Sequence, residues 1–376
     1  MINLASRNLR QGMVTAQSIY NSRGASYITK GTPLNDQYIA RLKKLGVKEV
    51  HVTSLNTEHP LPPPEDVVAE KTRVKAIHTV FDTFRDFQNS ERIDVSSLQT
   101  TSEELLLDIM SKHNNLIQIT DIRLHDTYTF AHSVNVAVLS TMLGTLCSFS
   151  REKLLTLTLG ALLHDIGKVV VPVDILNKPA ALSDDEFEII RRHPAAGRQK
   201  LRELNNLMAS TLGNIAGQHH EHMDGSGYPD HLQGKNIHPL ARIVAIADVY
   251  DALSSNRPYK KAYKPNVVYK IMTNCSDGQF DEELLHLFFD NVAIYPVGTV
   301  MKTELGYAIV KKTTFGKTRA PIVCVFARPN GQLLSRPMNV DLSQCPLDTI
   351  NFVLEDTELL NFIRTLGVDP AIYLEN

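Results

Sequence analysis

Five groups of side chains along the middle of the chain have the types and spacing for metal chemistry. They are His132, the pair His164-Asp165, His193, the pair His219-His220, and Asp248. Eight of the fourteen histidines lie between His132 and His238, and successive groups are 26 to 32 residues apart, one helix plus a turn. Each group sits on, or at the end of, an apolar helical segment, and a bundle turns such faces into its core. Burying a polar side chain there without a partner costs roughly 2–7 kcal/mol on transfer scales. One histidine on an apolar helix is more often a satisfied core residue than a ligand, so the weight rests on all five groups together. A shared cluster of divalent ions satisfies them at once. Imidazole and carboxylate donors without thiolate suit Fe, Mn, Zn, Co or Ni, and seven ligands are too many for one tetrahedral zinc. Two ions sharing Asp165 fit better. Such a pair lowers the pKa of a bridging water and clamps the oxygens of a phosphoryl displacement.

The elements that must carry these residues are helices. From about Asp66 to about Asn291 the pattern is helical throughout. "SDDEFEIIRRH" opens with Ser183 and Glu186 in capping-box spacing and ends at His193. "LLTLTLGALLHDIG" lines Leu155, Leu159, Leu162, Leu163 and Ile166 along one face, ends at His164-Asp165 with Gly167 as stop, and puts Lys168 one turn on. "LMASTLGNIAGQHH" ends in His219 and His220, and "PLARIVAIADVYDALSS" puts Asp248 and Asp251 on a shared face. The segment "HHEHMDGSGYPD" then turns to loop chemistry: Gly225 and Gly227 are read as positive-φ positions, and Pro229 fixes the exit. Glu221 and His222 are placed around the site rather than on an ion, and Tyr228 is read as packing the loop. "RPYKKAYK" gathers Arg257, Lys260, Lys261 and Lys264 with Tyr259 and Tyr263 between them, either a phosphate-holding segment or a solvated basic loop.

On either side the character changes. Residues 1–56 read as a small α+β module, with Asn35 capping the helix of "NDQYIARLKKLG", and "NTEHPLPPPED" opens a linker region, 57–117, with connecting helices. The catalytic candidate spans 118–293. Residues 294–376 read as a small mainly-β domain, with a hairpin turn at Asn330-Gly331 and a closing helix at "DTELLNFIRTLG". The expected fold is therefore a central all-α bundle between two small flanking domains. Hydrophobic content of 43%, charged content of 21% and net charge −2 are those of a soluble globular chain with no global field for a nucleic-acid polymer or an anionic membrane. The four cysteines are scattered, no run approaches 18 apolar residues, and the first residues lack a signal-peptide core. A cytoplasmic protein is the expectation. A homodimer, and a protein partner for the flanking regions, are left open.

Set side by side, "HDIGK", "HP" followed by Gly197, "HHEHMDGSGYP" and "DVYDALSSNRPYKKA" resemble the HD superfamily of metal phosphohydrolases, and within it the HD-GYP branch. The resemblance runs from roughly Asp121 to Asn291 and identifies the central bundle as HD-type. It implies that His132, His164, Asp165, His193, His219, His220 and Asp248 bind two divalent ions, Fe or Mn foremost, with Asp165 bridging. It also implies that Lys168 meets the scissile phosphate, that Arg257 and Lys260 hold substrate phosphates, and that Asp251, Asp224, Gly225, Gly227, Tyr228 and Pro229 shape the surroundings or the loop. The implied reaction is hydrolysis of cyclic di-GMP to pGpG, and on to GMP in some members, with a metal-bridging hydroxide as nucleophile. Members with a third ion carry a glutamate four residues before the first histidine; here that residue is Tyr128, so two ions are expected and the second cleavage is put in doubt. The alternatives are another cyclic dinucleotide such as cyclic GMP-AMP, or a non-catalytic cyclic-dinucleotide receptor.

Overall fold

A computed structural model of the chain describes residues 2–20, 26–45, 47, 49–54, 66–90, 93–112, 128–176, 178, 180–204, 207–255, 262–274, 278–346 and 349–374. The proline-rich linker stretch and the segment holding Arg257, Tyr259, Lys260 and Lys261 lie outside the described residues, as does the side chain of Tyr128.

The chain opens with β1 (Ile2–Ala5), β2 (Val14–Thr15), β3 (Ile19–Tyr20), β4 (Ser26–Ile28), α1 (Asp36–Lys44) and β5 (Glu49–Ser54). Asn35 caps α1, accepting from the Tyr38 amide at 2.8 Å. Helices then follow: α2 (Glu70–Ser90), α3 (Val95–Ser111), α4 (Tyr128–Leu146), α5 (Arg151–Leu162), α6 (Val173–Leu176), α7 (Asp184–Ile190), α8 (His193–Arg202), α9 (Ala209–Gln218), α10 (Pro239–Ser254), α11 (Pro265–Asn274) and α12 (Glu282–Asn291). The chain closes with β6 (Val300–Thr303), β7 (Gly306–Lys312), β8 (Ile322–Ala327), β9 (Leu333–Asp341), β10 (Ile350–Val353) and α13 (Asp356–Leu366).

Two compact units result. One is helical and runs from Asp66 to Phe289 apart from residues 120–126. Its middle helices, α4 and α10, are apolar on nearly every side and buried along most of their length. A helix buried all round has no solvent face for its polar residues, so His132, Ser133, Asn135, Asp248 and Asp251 are held inside. That burial is what makes a site.

The other unit joins the two ends of the chain. β1, β5 and β2 form a three-stranded antiparallel sheet, and β10-β6-β7-β8-β9 a five-stranded antiparallel one with β9 at an edge. Pro337 lies in that edge strand, which has a partner strand on one side only. The sequence divides these residues between two separate flanking domains. Instead, Leu4, Leu42 and Val50 from the first segment share one core with Ile309, Phe326 and Leu359 from the last. The five-stranded sheet also has a core of its own, around Met301, Val310, Val323 and Val325, besides the one it shares with the first segment.

Candidate metal centre

The five groups meet. His132 comes from the first turns of α4, His164 and Asp165 from the turn after α5, His193 from the start of α8, His219 and His220 from the end of α9, and Asp248 from α10. Asp165 lies at the middle and is 1% exposed. Its Oδ1 is 3.2 Å from Nε2 of His193 and 3.8 Å from Nε2 of His219. Its Oδ2 is 3.4 Å from Nε2 of His164, 4.0 Å from Nε2 of His132 and 2.5 Å from Nζ of Lys168. Asp248 reaches Nε2 of His132 at 3.1 Å and faces Nδ1 of His220 at 3.8 Å.

What orients the rings is main-chain geometry. Nδ1 of His164 meets the Ala161 carbonyl at 2.7 Å, Nδ1 of His193 that of Ile190 at 2.7 Å, and Nδ1 of His219 that of Ala216 at 2.9 Å. A carbonyl only accepts, so each Nδ1 carries the proton and each Nε2 turns a lone pair inward. His132 is held by a carboxylate instead, donating from Nδ1 to Oδ2 of Asp251 at 2.7 Å. Nε2 of His193 and Nε2 of His219 lie 3.4 Å apart, lone pair toward lone pair, an arrangement that a cation between them relieves. Nε2 of His164 and Oδ1 of Asp165 are buried without a hydrogen-bond partner. Orphaned buried acceptors on one centre fit a divalent ion. Among the described residues the atoms that approach closely enough form three groups: His193, His219 and His220; His132, His164 and Asp165; and His164, His219 and Asp248.

With that geometry in view, a family model described as an HD domain matches residues 105–284. A cyclic di-GMP phosphodiesterase of Pseudomonas aeruginosa is 34% identical over 292 residues, covering 77% of this chain and 70% of that protein. The chain belongs to the HD-GYP family. The cyclic di-GMP phosphodiesterase response regulator RpfG of Xanthomonas campestris pv. campestris is 46% identical over 114 residues, which is 30% of each protein. The 3′3′-cGAMP-specific phosphodiesterase 1 of Vibrio cholerae is 37% identical over 189 residues, 50% of this chain and 43% of that protein. The match thus spans less than half of each of these two relatives. No helix among the described residues is long and apolar enough to cross a membrane.

In this HD-GYP chain the charges at the centre are set by burial and by neighbours. Burial pushes Asp165 and Asp248 up, but Lys168 and His164 beside the first, and His132 beside the second, hold both well below the usual carboxylate range. Burial holds His219 well below the ordinary imidazole value and His220 down to about 3, so both rings are neutral and ready to ligate. His132 goes the other way. Burial opposes its charge, yet Asp248 and Asp251 on either side raise it to about 9. A cation seated at its Nε2 displaces that proton. Metal uptake by the stripped protein should therefore release about one proton from His132, and affinity should rise about tenfold per pH unit from neutrality until it levels near pH 9. Mn²⁺ titrations in buffers of different ionisation enthalpy check this; a pH-independent affinity over that range would contradict it.

Three sequence expectations are corrected by the local geometry. His193 begins α8 instead of ending α7, because Pro194 supplies the preset φ of a first helical turn. Gly167 is not a left-handed stop but part of a 3-10 turn, Ile166–Val170, and a Cβ on it would lie 2.0 Å from the His193 carbonyl oxygen. Gly225 has φ +85°, as expected, whereas Gly227 has no positive φ. What Gly227 supplies is room: its Cβ would meet the His222 amide at 2.3 Å and the His220 carbonyl oxygen at 2.5 Å.

The loop is tied down by Glu221, buried at 3% exposure, which accepts from the amides of Asp230 at 2.7 Å and Leu232 at 2.9 Å. Arg198 pairs with Asp230. Asp224 turns to the Ser226 amide at 2.8 Å, and His222 to the Ser226 hydroxyl at 2.8 Å, so neither faces the centre. Tyr228 packs against His220, ring centroids 4.9 Å apart, and carries the Arg191 guanidinium 4.7 Å above its ring. Burial pushes the Tyr228 phenol up, so it stays protonated. Arg191 and Asn135 escape a motif reading. Asn135 left one signal, its place three residues after His132 on the same buried helix.

Proposed function

We propose that this HD-GYP protein is a cyclic-di-GMP phosphodiesterase that opens the ring to the linear dinucleotide pGpG at a centre of two divalent ions. The observation that carries the reading is the convergence of inward-facing Nε2 atoms on one buried, bridging-competent carboxylate. The two oxygens of Asp165 divide the imidazoles, His193 and His219 toward Oδ1, His164 and His132 toward Oδ2. That division supports a bridging role. His220 adds to the first side and Asp248 to the His132 side. Ions held there supply a water of lowered pKa and neutralise charge on phosphoryl oxygens. Fe²⁺ and Mn²⁺ suit the donor set, with Zn²⁺, Co²⁺ and Ni²⁺ behind them.

The chain's own residues do the remainder. Asp165 and Asp248 stay ionised, and three of the histidine rings, those of His164, His193 and His219, are held by carbonyls so that they need no reorganisation as charge develops. Lys168, 22% exposed and three residues after Asp165, is the cation that can turn from that carboxylate to a phosphate oxygen. Arg257 and Lys260 are assigned to the substrate phosphates by motif alone. Tyr128 at the third-ion position makes the second cleavage, of pGpG to GMP, slow. Incubating the protein with cyclic di-GMP under anaerobic Fe²⁺ and under Mn²⁺ should yield pGpG; an intact substrate with a fully loaded centre would sink the proposal. Lys168→Ala should retain its metal and lose about a hundredfold in turnover, and unchanged turnover would remove Lys168 from the reaction.

The similarity to a 3′3′-cGAMP-specific phosphodiesterase supports a second reading, cleavage of a mixed guanine–adenine ring. Turnover of both cyclic dinucleotides in parallel separates the two.

A further inference from the structure

Arg73 is a charged side chain where a core residue belongs. It lies on α2, ahead of the segment matched by the HD domain model, and is 1% exposed. Its Nη2 donates to Oδ1 of Asp66 at 2.8 Å and its Nη1 to Oδ1 of Asn135 at 2.8 Å, while its Nε is buried without a partner. A buried guanidinium with an unmet donor is poor value as core packing, since an apolar residue of similar volume is commonly as stable or more so. From Asn135 the bonds continue. Its Nδ2 donates to Oδ1 of Asp251 at 2.9 Å, and Oδ2 of Asp251 accepts from Nδ1 of His132 at 2.7 Å.

The chemistry of the donors gives this chain of bonds one direction. Arginine has donors only, so it forces the Asn135 amide to face it with oxygen. The amide nitrogen must then face Asp251. An ionised carboxylate only accepts, so it takes that bond on one oxygen and the His132 proton on the other. Ser255 also donates to Oδ1 of Asp251, at 3.2 Å. With Nδ1 committed, the His132 ring turns Nε2 toward Asp248 and Asp165. Without an obligate donor at the far end, the amide is free to flip, its oxygen meets the carboxylate, and the hold on His132 loosens.

We propose that Arg73 is a positioning residue of the metal centre, acting through Asn135 and Asp251 to fix the ring and tautomer of His132. The inference rests on the reading of His132 as a metal ligand, and its test reads metal rather than turnover.

The experiment is a Mn²⁺ titration of the metal-stripped full chain below its melting temperature. Arg73→Gln and Asn135→Leu should each weaken at least one binding step by about tenfold, the lower range for an outer partner of a ligating histidine. The double variant should bind within about twofold of the weaker single variant, because both changes cut one series of bonds. Arg73→Lys, which keeps an obligate donor, should stay within about threefold of the wild type. A role in packing alone lowers the melting temperature and leaves Mn²⁺ binding untouched. Should Arg73→Gln fail to fold, Asn135→Leu, which leaves Arg73 on Asp66, carries the test. Both steps within about twofold of wild type in that variant, or effects that add in the double variant, overturn the proposal. If the wild type shows this Arg73 dependence yet leaves cyclic di-GMP intact, the substrate reading falls and the positioning role stands. Cleavage with Mn²⁺ affinity indifferent to Asn135 gives the reverse.

Discussion

Asp165→Ala should strip the centre of metal and abolish turnover together, a loss of at least about a thousandfold, beyond that for deleting a single preorganised donor. The size follows from its position. One carboxylate faces Nε2 of His193 at 3.2 Å on one oxygen and Nε2 of His164 at 3.4 Å on the other, with Lys168 at 2.5 Å. Alanine removes the shared oxygen donors of both proposed ions at once. It also leaves Lys168 without the carboxylate that faces it. Elemental analysis of protein purified without chelator, beside a turnover assay, checks the prediction. Two ions per chain and turnover within tenfold of wild type would show that Asp165 does not join them.

Gly167→Ala should be nearly as damaging although it removes no polar atom. The added Cβ would lie 2.0 Å from the His193 carbonyl oxygen, 2.6 Å from the Gly197 nitrogen and 2.9 Å from the His193 carbonyl carbon. All three are backbone atoms, so no rotamer change relieves the contact. The first turn of α8 must retreat by about an ångström, and His193 retreats with it. Overpacking of this kind costs about 1–3 kcal/mol, which in a chain of this size lowers the melting temperature by roughly 2–10 °C. A ligand misplaced by about an ångström costs turnover on the order of a hundredfold. Thermal melts and Mn²⁺ titrations of the same sample read both; an unshifted melting curve would mean that the turn and α8 are not in close approach.

Much of the site is legible before any fold is known, and the reason is chemical. Imidazoles and carboxylates on helices that are otherwise apolar have nowhere to go but inward, and a regular interval of one helix plus a turn brings successive groups to one place. Local stereochemistry is equally readable: Asn35 caps α1, Ser183 and Glu186 form the capping box of α7, and Gly367 ends α13 at φ +69°. What escapes the sequence is whatever depends on a distant partner. Gly167 reads as a stop because glycine often stops helices, and only the fold shows the carbonyl that needs the space. Arg73 lies 62 positions from Asn135 and has no motif; its meaning arises from a contact. The sharing of one core by the two ends of the chain is hidden for the same reason.

The carbonyls of Ala161, Ile190 and Ala216 that hold three of the rings belong to the last turns of α5, α7 and α9. Those turns carry the negative ends of the helix dipoles, about half an elementary charge each. The imidazoles are thus helix caps as well as ligand candidates, and three negative helix ends gather around two carboxylates. Such a centre holds a negative potential that a bound cation relieves further. A cation bound there is a keystone for the helices that end on it: at a hundredfold excess over its Kd it adds about 2.7 kcal/mol to the stability of the folded state. For this protein, keeping the metal and keeping the fold are in part the same act.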